Sequence, residues 1–225
     1  MRSPHLRAAL SGLLLLALSL PAACRADPPH ACEEIRFEEQ PFTVCHFAAD
    51  DPGLALFHTH ADGTPFADFD RLADSVAADG GALIFAMNAG MYHEDRRPVG
   101  LYVENGAETQ RLVTRAGPGN FGLLPNGVFW IDTLGTAHVT ETLAYDAEAP
   151  EARFATQSGP MLVIGGQLHP EFNADGPSRK RRNGVGLSAD GRTLWFAISD
   201  TPVNFHTFAR LFRDELGTPD ALYLD

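Results

Sequence analysis

Apolar and polar residues alternate over residues 42–47 and again over 54–57, the period of two that a half-buried strand requires. Asp50-Asp51-Pro52-Gly53 lies between the two runs and predicts the turn that joins them. The period then lengthens. Phe66, Phe69, Leu72, Ala73 and Val76 fall on one helical face, with Thr64 as N-cap, Pro65 at the first helical position and Gly80-Gly81 as the stop. The run 82–87 is apolar, short and unbroken, which predicts a buried strand. Further strands are predicted at 99–104, 111–114, 127–132, 137–140, 160–164, 184–187, 193–198 and 221–224. Before the last of these, Asn204 caps a second helix that turns Phe205, Phe208, Leu211, Phe212 and Leu216 inward and ends at Gly217. No repeat or low-complexity linker interrupts the pattern. It predicts an α+β fold, one domain dominated by mixed β-sheet with two helices.

The first 26 residues stand apart. Arg2 and Arg7 precede an apolar run over 8–20, followed by the small residues Ala22, Ala23, Cys24 and Ala26. That order is a secretory signal peptide, and the run is shorter than the ~20 apolar residues a membrane span needs. Cleavage after Ala26 leaves residues 27–225 as the working domain, with Cys32 and Cys45 as a pair that an oxidising compartment would join in a disulfide. In the alternative, Leu20-Pro21-Ala22-Ala23-Cys24 loosely follows a lipoprotein signal and makes Cys24 a lipid anchor. Either route places the protein in the periplasm or outside the cell.

Charge narrows the partners. The chain has 17 basic and 29 acidic residues, and 1–26 contain three of the basic ones and no acid, leaving 14 against 29, a net charge of −15. Such a surface repels nucleic acid and anionic membranes, so neither is expected as a partner.

Polar groups gather just beyond the predicted strands: Asn88 after 82–87, Asp200 after 193–198 and Asp225 after 221–224. Ligands bind where strands deliver polar groups to one edge of a sheet, and three such groups outweigh reading each as a turn cap. Gln157-Ser158-Gly159-Pro160 offers uncharged pocket lining. Arg179-Lys180-Arg181-Arg182 is a cationic run in an acidic chain. A solvated loop explains most such runs; the sharper reading aims Arg182, nearest the following strand, at a phosphate or carboxylate. His58, His60 and Asp62 alternate as metal ligands can, but Gly63 follows in a turn context, so a surface turn is the better reading and no metal or other cofactor is expected. No G-x-S-x-G elbow, phosphate-binding loop or dinucleotide fingerprint is present.

A family resemblance emerges from runs that occur in order. They are Phe85-Ala86-Met87-Asn88-Ala89-Gly90-Met91-Tyr92, Pro98-Val99-Gly100-Leu101, Pro125-Asn126-Gly127-Val128-Phe129, Ala155-Thr156-Gln157-Ser158-Gly159-Pro160 and Arg182-Asn183-Gly184-Val185-Gly186. Val203-Asn204-Phe205, Phe208-Ala209 and Ala221-Leu222-Tyr223-Leu224-Asp225 complete the series. From about Phe42 to its end, the chain resembles the YigE-like bacterial group of the phosphodiester glycosidase family, which includes the uncovering-enzyme catalytic domain. The resemblance implies hydrolysis of the bond between a sugar's anomeric carbon and a phosphodiester, releasing free sugar and a phosphate monoester, with a phosphorylated sugar or envelope glycan such as an exopolysaccharide as substrate.

The resemblance also implies roles. Arg182 would hold the phosphate, Asp200 or Asp225 would activate water or steady positive charge on the sugar, and Asn88 would position either group. Gln157, Ser158, Asn126, Asn183 and Asn204 stand in the matching runs as substrate-binding lining. The leaving group has a second pKa of about 6, so less acid assistance is needed than for an ordinary glycosidase. On this view Arg182→Ala abolishes turnover and leaves the fold intact. Two departures stand out. Ala89 occupies a position where the family favours glycine. The family's Asp-Gly-Gly and serine after the last strand are not in this sequence, which either belongs to a longer chain or lacks that piece of the site. Two alternatives remain open: a periplasmic protein that binds a phosphorylated or acidic glycan without cleaving it, and a metal-dependent phosphoesterase built on His58, His60 and Asp62.

Overall fold

The computed structural model describes residues 30–225, so the signal predicted for 1–26, with Cys24, lies outside the described residues. The described residues begin with a hairpin of β1 (His30–Phe37) and β2 (Gln40–Ala48). After a stretch without regular structure comes α1 (Phe69–Ala78). Next are β3 (Tyr102–Glu104), β4 (Ala107–Gln110), β5 (Gly127–Asp132), β6 (Ala137–Glu141), α2 (Thr142–Glu148) and β7 (Ala152–Ser158). The remainder holds β8 (Met161–Ile164), β9 (Gln167–Leu168), β10 (Asn183–Leu187), β11 (Thr193–Ser199) and α3 (Phe205–Arg210). A π-helical turn, Leu211–Glu215, continues α3, and β12 (Asp220–Leu224) follows.

The strands form two antiparallel sheets, ordered β1-β2-β11-β10-β12-β8-β9 and β4-β3-β7-β5-β6. β5 shows how they stack. It is buried along almost its whole length, because Phe129 and Ile131 face the seven-stranded sheet while Val128 and Trp130 face outward toward Tyr145 of α2. Phe47, Met161, Val185, Leu194, Phe196 and Leu222 meet Phe129 and Ile131 from the other side. The far face of the seven-stranded sheet takes α3 and the π-helical turn, with Phe208, Leu211 and Phe212 against Phe42, Leu162 and Tyr223. Glycine in β10 permits that contact: a Cβ on Gly186 would stand 2.8 Å from Phe212 Cδ1, inside ordinary packing distance. The order of layers is helix, sheet, sheet, helix: a single α+β domain dominated by strands.

Most strands lie where the periodicity predicts them, and so does α3; the departures have local causes. α1 begins at Phe69 rather than Pro65. Pro65 forms an antiparallel bridge to Thr59, and Thr64 Oγ1 donates to Asp62 at 2.6 Å. Ala67 then adopts φ +66°, which no helix accommodates, and Asp68 becomes the cap by accepting from Arg71 N–H at 2.9 Å. The strand expected at 111–114 is instead β4, fully exposed and therefore without an apolar face to signal it. β3 is shorter than predicted, and α2 went unpredicted because two turns with a single inward aromatic carry too little periodicity. Neither 54–57 nor 82–87 joins a sheet. Phe85 packs against Phe47 and Phe196, with ring centroids 5.2 and 5.1 Å apart, while Ile84 is 66% exposed. Cys32 and Cys45 stand opposite each other on β1 and β2 and form a disulfide.

Candidate functional site

Three strand ends meet at one edge of the seven-stranded sheet. β10 starts at Asn183, flanked by Ile198 of β11 and Leu224 of β12. Arg182 and Asn183 therefore lie between Asp200, just past β11, and Asp225, just past β12. Adjacent strands run about 4.8 Å apart, so the backbones carrying the two aspartates are separated by roughly 10 Å.

The segment carrying Asn88 is tied to this edge. Asp225 N–H donates to the Ala89 carbonyl at 3.0 Å. Asn183 Nδ2 donates to the Asp225 carbonyl at 2.9 Å and to the Asn88 carbonyl at 3.4 Å. Gly90 passes so close to β7 that a Cβ would lie 2.1 Å from Thr156 Oγ1, leaving room for glycine alone. Asn88, Asn183 and Asp225 thus form one cluster. Desolvation pushes the Asp225 carboxyl above the usual aspartate range although the residue keeps an exposed side. Asp200 is held elsewhere: Thr43 Oγ1, on β2, donates to its carboxylate at 3.2 Å. That bond draws it toward β2, away from β10.

Arg182 is the inward residue of its cationic run, 1% exposed, while Arg179, Lys180 and Arg181 are exposed. Its guanidinium sits 3.5 Å from the centre of the Phe205 ring and 5.7 Å from that of Tyr223. Nε donates to the Val203 carbonyl at 3.0 Å and Nη2 to the Ser178 carbonyl at 2.9 Å. Among the described residues no carboxylate lies within ion-pair distance of it. Burial lowers its pKa, and the Tyr223 hydroxyl opposes that shift. Arg182 is therefore a buried cation held by carbonyls and aromatic faces.

The remaining candidates are largely committed to the fold. Gln157 Oε1 accepts from Leu101 and Val113 N–H at 3.2 and 3.0 Å, and Nε2 donates to the Val113 carbonyl and Thr142 Oγ1. Asn204 caps α3 by accepting from Thr207 N–H at 2.8 Å and donates to the Ala174 carbonyl at 2.7 Å. Asn126 Nδ2 donates to the Phe121 carbonyl at 2.8 Å, whereas Asn126 Oδ1 and Ser158 Oγ are buried without a partner. His58 Nε2 lies 2.7 Å from the Arg96 carbonyl, His60 packs on Phe66, and Asp62 binds Thr64. Among the described residues no group of three His, Cys, Asp or Glu side chains is placed to hold a metal.

Sequence reasoning missed Phe205 and Tyr223 as the walls around Arg182, since nothing along the chain separates them from core aromatics. It also missed a cavity of about 550 Å³ beside the cluster, whose wall includes Asn88, Ala89 and Gly90.

A sequence profile of the family described as phosphodiester glycosidase matches residues 81–225. The uncharacterised protein YigE of Escherichia coli K12 is 38% identical over 174 residues, which span 76% of this chain and 66% of that protein, just under two thirds of its length. Among solved structures, the zebrafish N-acetylglucosamine-1-phosphodiester alpha-N-acetylglucosaminidase catalytic domain, auto-inhibited by its pro-peptide, superposes with a TM-score of 0.51 at 15% identity, covering 89% of this chain and 72% of that one. That likeness shows a shared fold. A hypothetical protein from Synechocystis aligns with a TM-score of 0.46 at 14% identity, over 86% of this chain and 55% of that one.

Proposed function

Because the chain belongs to the phosphodiester glycosidase family, whose activity is of the glycosidase-type hydrolase class, we propose that it cleaves the bond between a sugar's anomeric carbon and a phosphodiester. The observation that carries this reading is Arg182, a buried guanidinium without a carboxylate counter-charge, adjoining the Asn183–Asn88–Asp225 cluster. A buried charge left uncompensated by the fold favours an anion arriving next to it. A phosphodiester is such an anion. Nε and Nη2 of Arg182 are committed to the Val203 and Ser178 carbonyls, so it acts through its positive potential and by holding β10 against α3. Asn183 Nδ2 is committed to the Asp225 and Asn88 carbonyls, which leaves the Asn88 side-chain amide to meet the phosphodiester directly.

Asp225 is the carboxylate the geometry favours over Asp200. In the reaction the anomeric C–O bond breaks with its electron pair leaving on the phosphate oxygen, water adds to the anomeric carbon, and the water's proton passes to the Asp225 carboxylate. The products are free sugar and a phosphate monoester. Export to the periplasm or beyond, and a substrate in an envelope or extracellular glycan, belong to the same proposal. They are supported by the signal-like residues 1–26 and by the Cys32–Cys45 disulfide. Among the described residues no helix is long and apolar enough to cross a membrane.

The test is incubation of purified protein with a panel of sugar-1-phosphodiesters, reading free sugar. Turnover is expected, insensitive to chelator and reduced on the order of a hundredfold or more in kcat/KM by Asp225→Asn. Binding of intact diester without product would replace hydrolysis with recognition alone.

A further inference from the structure

Residues 53–58, 65–72 and 83–92 wrap the cavity of about 550 Å³ that adjoins the Asn183–Asp225 edge. Its volume lies within the usual span of small-molecule sites. The floor is hydrophobic interior: Phe129 and Ile131 of one sheet, Phe196 and Leu224 of the other. Leu56, Phe85 and Met87 close the sides. The charged lining residues Asp68 and Arg96 are exposed, which puts them at the rim.

Two polar side chains in the wall are already committed. Tyr102 donates its hydroxyl to Glu104 Oε2 at 2.9 Å, and His58 Nε2 lies against the Arg96 carbonyl. A sugar or peptide buried against the floor of Phe129, Ile131, Phe196 and Leu224 would leave hydroxyls or amides without partners there, at a cost a saturated chain does not incur. Apolar exposure concentrates at the same place. Phe57, Phe69 and Tyr92 line the cavity yet are 48%, 50% and 37% exposed, and Ile84 stands beside it at 66%. A protein interior packs to near crystal density, so a cavity of this size with an apolar floor and exposed aromatic side chains at its mouth calls for an apolar occupant.

Position identifies which occupant. The wall formed by Asn88, Ala89 and Gly90 is the segment whose carbonyls bind Asn183 and Asp225, and the floor residue Leu224 immediately precedes Asp225. A molecule that sets its phosphodiester at that edge has the cavity as the adjacent apolar space. We infer that the cavity holds the hydrocarbon portion of the group beyond the phosphate, making the substrate a lipid-linked glycosyl phosphodiester. This rests on the functional reading above and adds the chemical class of the aglycone. Each methylene moved from water into the cavity tightens binding about fourfold, from ~0.8 kcal/mol per CH₂.

Two series with ethyl, octyl and dodecyl chains, kept below micelle-forming concentrations, test the inference. One measures kcat/KM for sugar-1-phosphodiesters carrying those chains; the other measures calorimetric affinity for the alkyl phosphates themselves. Both are expected to rise with chain length until the cavity is filled, by at least a hundredfold from ethyl to dodecyl, and Ala86→Phe, which intrudes on the cavity, is expected to flatten the rise. Equal turnover of all three diesters, together with equal affinity for ethyl and dodecyl phosphate, overturns the lipid site and leaves the glycosidase reading standing. Dodecyl phosphate bound as tightly by Ala86→Phe as by the natural chain places the hydrocarbon elsewhere and also overturns it. No turnover of any diester, with the alkyl phosphate series still rising and flattened by Ala86→Phe, overturns the glycosidase reading and supports the hydrocarbon site.

Discussion

At Arg182 a single side chain joins three parts of the fold: the start of β10 through its backbone, the 178–182 loop through Ser178, and α3 through Val203 and Phe205. The expectation that Arg182→Ala would spare the fold does not survive this environment. Removing the guanidinium empties the slot between Phe205 and Tyr223, takes the donor from the Ser178 carbonyl and leaves the Val203 carbonyl with Lys180 N–H alone. The expected loss is about 2–5 kcal/mol, read as a lower urea midpoint. Arg182→Lys keeps the charge but loses the planar fork and the stack, so it should fall between the two. An unchanged midpoint in Arg182→Ala would show that the slot closes without it. That Arg182 turns inward was legible from its place beside an apolar run. That its Nε and Nη2 are already committed was not, because Val203 and Tyr223 reach it from separate segments. Gln157 teaches the same lesson: a polar residue in a family run, with all four amide bonds spent inside the protein.

Elements were readable where the signal is local. The Asn204 cap depends on Thr207, three residues on, and could be placed from sequence alone. Asn204→Ala removes that bond and the tie to Ala174, and is expected to lower stability by about 1–2 kcal/mol in urea denaturation. Because Phe205 opens the capped helix, the same variant should also weaken phosphodiester binding; a normal KM would separate the cap from the site. The run 82–87 shows where local signals end. The buried strand predicted there is a half-buried irregular segment, with Ile84 66% exposed, because apolarity does not specify whether the burial partner is a neighbouring strand or the wall of a cavity. β4, with every residue exposed, has no pattern to read.

At the scale of the whole molecule, His169 sits where the two sheets join. Its Nδ1 accepts from Glu171 N–H at 3.2 Å and its ring stacks on Phe172, itself stacked on Phe205. Nε2 is buried without a partner, near the Leu124 and Pro125 carbonyls that lead into β5. Burial pushes the His169 pKa down, against the opposing pull of Glu171. The folded value lies below the unfolded one, so on acidification the unfolded chain binds the proton first. The stability this group contributes is complete above about pH 6.5 and is lost as pH falls toward the depressed folded value. Between pH 7.5 and 5.5 the urea midpoint should therefore fall. His169→Gln should remove that part of the pH dependence of the urea midpoint; equal losses in both proteins would assign the effect to other groups.

Taken alone, the amino-acid sequence determined the strand-dominated α+β class, most strands, α3 with its cap, the Cys32–Cys45 pairing and the ordered runs that mark the family. These are set by period, by capping chemistry or by neighbours a few residues apart. The tertiary structure alone decided that Asn183 clips Asp225 to the Asn88 segment, that Asp200 is drawn toward Thr43, and that the apolar stretches 54–57 and 82–87 enclose a cavity instead of extending a sheet. Each of those outcomes depends on which distant segment lies alongside, and that is fixed by the packing of two sheets against each other rather than by any pattern along the chain.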